Sequence, residues 1–252
     1  MSRNGLQVGL QGIPVEVRPL LEGFCQRLQT LLKDNLQSVT VVGSCLTGDF
    51  RPGVSDINTL VMLAELHQGA LVGLAGLVKA FRRHRFSPPW VMTDEFLERS
   101  RHVFGVEWLD FQGLHQTLLG ADPLVGLTFE KSGVRFQCER ELQATLVRMR
   151  QGLVAAGGDK GVIRDCLTCT VKALLPILRA MLWLVDMERT PGRGPTCQQA
   201  WEAFGIEMQG LVSVLRWHEQ GSRVSARDLQ AAFDSVYATV DQLAHFVDDL
   251  EV

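Results

Sequence analysis

No charge of one sign dominates this sequence: 25 Lys and Arg stand against 28 Asp and Glu, for a formal net charge of -3. That balance excludes a general field able to draw DNA, RNA or an anionic membrane, so any anionic ligand has to be held by local groups. Long apolar runs are lacking too. The opening MSRNGLQVGLQGIPVEV has no unbroken apolar core of the signal-peptide kind, and no stretch approaches the roughly 20 apolar residues of a membrane span. The expectation is a cytoplasmic protein with no membrane partner and no general nucleic-acid binding. Cysteines are few and scattered: Cys25, Cys45, Cys138, Cys166, Cys169 and Cys197 fit reduced thiols better than a disulfide framework. Cys166 and Cys169 form a C-x-x-C, but no second pair or nearby His pair completes a zinc site. Both fall in an apolar helical pattern with Leu167, Thr170, Val171 and Leu174, which makes packing their expected role.

What is present is enough apolar material for real cores. A chain of 252 residues with 46% hydrophobic content is not disordered in the main, and it has room for one large domain or two modest ones. Apolar residues at helical spacing predict a helix over 15–36. The period then changes. Ser38 to Val42 is a β-branched run stopped by Gly43, and Ile57 to Leu63 is a second run of the same kind, so both read as buried strands. Gln68 to Phe86 reads as a helix closing on Arg82, Arg83, His84 and Arg85, where basic charge suits a helix C-terminus, and Pro88 and Pro89 stop it. Trp90 to Thr93 and Val103 to Gln112 are further strand candidates, with a short polar helix between them. Gly120 to Pro123 follows a helix-like segment and reads as a turn, with His115 a solvated neighbour.

From about Ser132 the strand signal ends. Helical stripes run through Leu142, Leu146, Met149 and Leu153, then through Ile163, Leu167, Val171, Leu174, Leu178 and Met181, where Pro176 predicts a kink or a break. TPGRGP at 190–195 reads as a loop. A helix over 197–218 and a last one over 225–250 complete a bundle of four or five, in which Trp183, Trp201 and Trp217 take core positions. The expected class is α+β: a small mixed β-sheet domain over 1–130 followed by an all-α helical bundle over 131–252.

The stretch that bears on chemistry is VTVVGSCLTGDFRPGVSDINTLVML. It sets Gly43-Ser44 directly after one strand and Asp56-Ile57-Asn58 at the start of the next. Glycine lets a backbone approach a triphosphate closely, and a Ser hydroxyl with free amides at a helix start can hold a phosphate. Side chains 56 and 58 point to one side of a strand, as alternation requires. A plainer reading is a β-turn-β unit with Ser55 and Asp56 as turn residues.

This combination resembles the signature of the nucleotidyltransferase superfamily, which includes the kanamycin-type nucleotidyltransferases and DNA polymerase beta. There a Gly-Ser at a helix start is followed by an Asp-x-Asp, with a third carboxylate on a later strand. The resemblance implies that Gly43, Ser44 and Ser55 face the phosphates of a nucleoside triphosphate such as ATP. It implies Asp56, Asn58 and a later acid as catalytic ligands of Mg2+, which would neutralise the phosphates and ease in-line attack. For the later acid Asp110, in VFGVEWLDFQ, is the first choice and Glu107 the alternative. The sequence departs from the family at Asn58, whose amide oxygen brings no charge, so the expected activity is weakened. Two readings follow. One is a nucleotidyltransferase moving a nucleoside monophosphate to a small-molecule or protein acceptor. The other is a catalytically inactive relative that binds nucleotide or a protein partner. A second copy of the chain, in a homodimer, is a further expected partner. From Trp90 to Leu153 the chain also looks like a group of bacterial proteins that join such a domain to a helical C-terminal half.

Overall fold

The structure, a computed structural model, describes residues 10–252. The chain divides into two compact units, one holding the chain up to Arg101 together with Phe111–Thr128, the other His102–Asp110 together with Phe129–Val252.

The first unit is a sheet with helices. Helix α1, Arg18–Leu32, buries Leu21, Phe24, Cys25, Leu28 and Leu32 on one stripe. It is shorter than its apolar period because Lys33 turns to φ 49 and the chain enters a 3-10 turn before strand β1, Leu36–Val42. Strand β2, Asn58–Leu63, runs antiparallel to β1, with Val42 opposite Asn58. Helix α2, Gln68–Phe81, starts where the His67 ring accepts the Ala70 N–H. It ends earlier than the expected Phe86, since Arg82–His84 forms a 3-10 turn and Arg85 takes the left-handed φ 64. Strand β3, Trp90–Met92, pairs parallel to β2, and helix α3, Asp94–Ser100, is capped by Thr93. Strand β4, His115–Leu119, closes the sheet antiparallel to β1, giving the order β3-β2-β1-β4. Val39, Val41, Val61 and Leu63 are almost fully buried in one cluster, and each such side chain contributes about 1.5–3 kcal/mol. That places β1 and β2 at the centre of this core.

Two expectations fail between Val103 and Leu119. The segment expected as a strand over Val103 to Gln112 is helix α4, Gly105–Gly113. Its apolar residues recur at both two and three positions, and packing decides: Val106 and Leu109, three apart, join the core of the second unit. The helix-like stretch before Gly120 is instead β4. There the Thr117 hydroxyl meets Thr40 of β1 at 3.0 Å.

The second unit is a bundle of helices α5 (Lys131–Ala156), α6 (Lys160–Leu184), α7 (Arg193–Phe204), α8 (Gln209–Gln220) and α9 (Ala226–Asp248). Asp159 caps α6 and Ser225 caps α9 through their side chains. Helix α6 runs through Pro176 without a break. By length and composition it could cross a membrane, contrary to the expectation that no stretch comes close, but 67% of its most apolar window is buried inside the bundle. The single helix expected over 197–218 is two helices, because Gly205 at φ 68 ends α7 in the left-handed conformation. Helix α7 also starts inside the expected 190–195 loop. Trp183 and Trp217 pack against the core, whereas Trp201 is 49% exposed. The cysteine pair is likewise split: Cys166 is half-buried and Cys169 exposed. Small mixed sheet and helical bundle together make the α+β class expected.

Candidate functional site

Three strand ends meet at one edge of the sheet. Val42, the last residue of β1, lies opposite both Asn58, the first of β2, and His115, the first of β4. Gly43 follows at φ 78, which favours glycine, and its N–H donates to the Leu114 carbonyl at 2.8 Å. A Cβ on Gly43 would stand 3.9 Å from the Asn58 amide nitrogen, so the two expected site residues are neighbours. Gly43–Leu46 forms one 3-10 turn where the family resemblance implied a helix start. Within it the Ser44 carbonyl accepts the Thr47 N–H and hydroxyl, each at 3.1 Å, and the Ser44 hydroxyl takes no part in these bonds. Ser55 is buried, and its Oγ accepts the Arg51 N–H at 3.0 Å, closing the 51–55 turn. That is the turn role of the plainer reading.

Asp56 is not alone. The Arg85 guanidinium lies 2.8 Å from its carboxylate and also donates to the Val54 carbonyl at 3.0 Å. The backbone sets this pairing: the Ile57 N–H donates to the Arg85 carbonyl and the Ser87 N–H to the Ile57 carbonyl, which continues the parallel β2–β3 ladder past its regular end. Arg85 was expected as solvated charge at a helix end, and nothing local marks it otherwise.

His115, expected to face solvent, is mostly buried. Its Nε2 lies 2.8 Å from Asp122 and its Nδ1 3.0 Å from the Gln112 carbonyl. Burial raises the Asp122 carboxyl, but the Leu124 N–H, His115 and Thr117 outweigh it and hold the group below the usual carboxylate range.

No third acid stands on a later strand. Neither β3 nor β4 carries Asp or Glu. Asp110 lies on α4, within the second unit, as an ion pair with Arg179, both side chains mostly buried. Arg189 donates to the adjoining Leu109 carbonyl at 2.8 Å; burial lowers its pKa, Asp110 raises it and Arg179 lowers it. Glu107 accepts Gln137 Nε2 at 2.6 Å. Each acid therefore has a structural partner of its own. The donors for Mg2+ reduce to one carboxylate, already paired with a guanidinium, and one neutral amide. Mg2+ is usually held by one or two carboxylates together with waters and substrate phosphates, and a pair of such ions needs carboxylates for both; among the described residues no group of three or more His, Cys, Asp or Glu could hold a metal. The residues present do not fit a two-metal centre.

No family model and no curated protein matches the chain. Solved structures do. The chain is similar to the spectinomycin adenyltransferase AAD(9) from Enterococcus faecialis, whose crystal structure contains ATP and spectinomycin, with a TM-score of 0.58 at 12% identity over 90% of this chain and 99% of that one. The chain has a nucleotidyltransferase-like fold. Within that fold Gly43 and Asn58 are neighbours where β1 ends and β2 begins, Ser44 and Asp56 are close to them along the chain, and Asp110 belongs to a helix.

Proposed function

We propose that this chain is a nucleotidyltransferase-fold protein that binds a nucleoside triphosphate and does not transfer from it. One observation carries the reading: the Arg85 guanidinium is bonded to Asp56, and Asn58 stands where the family signature has a second carboxylate. The Arg85 guanidinium, held at one nitrogen by Asp56 and the Val54 carbonyl, is a planar donor well matched to phosphate oxygens. It cannot polarise an attacking hydroxyl or stabilise a leaving group as a pair of metal ions does. Gly43 and Ser44 offer close backbone approach and a hydroxyl beside it. The competing reading is the Mg2+-dependent transferase expected from the resemblance, with Asp56, Asn58 and Asp110 as ligands. It is supported by the neighbour's name and requires Asp110 to give up Arg179.

Calorimetric titration with ATP, GTP, CTP and UTP, each in excess Mg2+ and in excess chelator, separates the two. Binding of at least one triphosphate that changes less than about threefold on removing the metal is the expected result. Affinity that vanishes with the metal, or no affinity for any of the four, overturns the proposal.

A further inference from the structure

Helix α2 is apolar on every side until Lys79, as its sequence QGALVGLAGLVKAF shows. Helices of that composition belong in cores, yet Leu71 is 44% and Val72 65% exposed. One face of the helix, through Leu71, Leu74 and Val78, forms a wall of a groove of about 590 Å³, and Phe86, Pro89 and Val91 form the other wall. Lys79 and Arg82 complete the lining, which includes no acidic residue. Among the described residues no carboxylate holds either cation.

These facts narrow the occupant. Strand β3 is the sheet edge, but it is three residues long, and Pro88 and Pro89 remove two N–H donors at its entry, so an added strand has little to pair with. The volume falls in the range of small-molecule sites, about 300–1,000 Å³. Apolar walls with two unpaired cations on the same groove suit a molecule with an apolar body and a single anionic head.

We propose that this groove binds a small apolar carboxylic acid of the medium-chain fatty acid class, its chain lying between α2 and the Phe86–Val91 segment and its carboxylate at Lys79 and Arg82. The site is separate in its residues from Gly43, Ser44 and Asp56, and the proposal stands whether or not the chain binds a nucleotide.

Titrations with decanoate, decanol and acetate on the full chain test it, alongside the double variant Lys79→Glu/Arg82→Glu and the single variant Leu71→Glu. All three substituted side chains are exposed, and circular dichroism with thermal unfolding checks that the variants fold. The expected result is saturable 1:1 binding of decanoate, at least tenfold weaker for decanol and for each variant, and none for acetate. Equal affinity for decanol, equal affinity in the double variant, or no saturable decanoate binding overturns the proposal. So does adsorption to phosphatidylglycerol vesicles without saturable decanoate binding, which would assign the groove to a membrane surface instead.

Discussion

Arg85 and Asp56 are each about half exposed, with side chains 46% accessible. A pair so placed contributes only about 0–1 kcal/mol to folding, so a binding role and a structural role for Arg85 predict different outcomes. Replacing Arg85 with Ala is expected to leave thermal unfolding within a few degrees of the parent while weakening triphosphate binding about tenfold or more, since hydrogen bonds to charged groups are worth about 1.5–3 kcal/mol. Calorimetry on the variant reads both: unchanged affinity would remove Arg85 from the site, and a large loss of stability would make it structural. At this scale the sequence was legible where the information is local. The position of Gly43-Ser44 after β1 and of Asn58 at the start of β2 was legible because a Gly-Ser after a β-branched run is a short-range pattern. Arg85 was missed because its partner is fixed by the pairing of two separate strands, and Asp110 was misplaced because the side chain that engages it, Arg179, lies 69 positions further along the chain.

Elements were legible in proportion to how strongly one period dominated. Helices α1, α2, α5, α6 and α9 and strands β1, β2 and β3 lie where the apolar spacing puts them, with ends moved by Lys33, Arg85 and other local turns. Helix α4 and strand β4 were interchanged, because VFGVEWLDFQ satisfies both periods and HQTLL is too short to satisfy either. The end of β4 has a sharp steric signature instead. Gly120 has φ 76, and a Cβ there would fall 1.9 Å from the Gln37 carbonyl oxygen, whereas Gly126 has φ 77 with open space around it. Both positions carry the left-handed penalty of roughly 1–2 kcal/mol for a residue with a side chain. Only Gly120→Ala adds a backbone clash that the β1–β4 pairing cannot relieve without shifting. Chemical denaturation should therefore show Gly120→Ala destabilised by at least about 2 kcal/mol more than Gly126→Ala; equal costs would mean that the start of β1 yields freely.

Across the whole molecule, each unit has its own apolar core, and each core holds two buried thiols. Cys25 and Cys45 lie in the first unit, Cys138 and Cys197 in the second. Burial pushes Cys25 up to about 12, Cys45 to about 11 and Cys138 to about 12, so these thiols are neither ionised nor reachable near neutral pH. Alkylation of the native protein at pH 8, followed by mass mapping, should label Cys169 first and Cys166 more slowly, and leave the four buried cysteines unlabelled until denaturant is added. Early labelling of Cys138 would contradict the packing of the bundle. The α+β class was readable from composition and period alone, because a switch from strand runs to long helical stripes near Ser132 is a property of many residues at once. The chemistry was not, because it turns on single charges. On the proposed reading, the fold binds a triphosphate where β1 and β2 meet and lacks the carboxylate charge needed for transfer. Incubation with α-phosphate-labelled ATP, GTP, CTP and UTP, in Mg2+ and in Mn2+, tests it most directly. No labelled product and no released pyrophosphate is expected from any of the four; metal-dependent transfer to the protein or to any added acceptor would overturn the proposed reading.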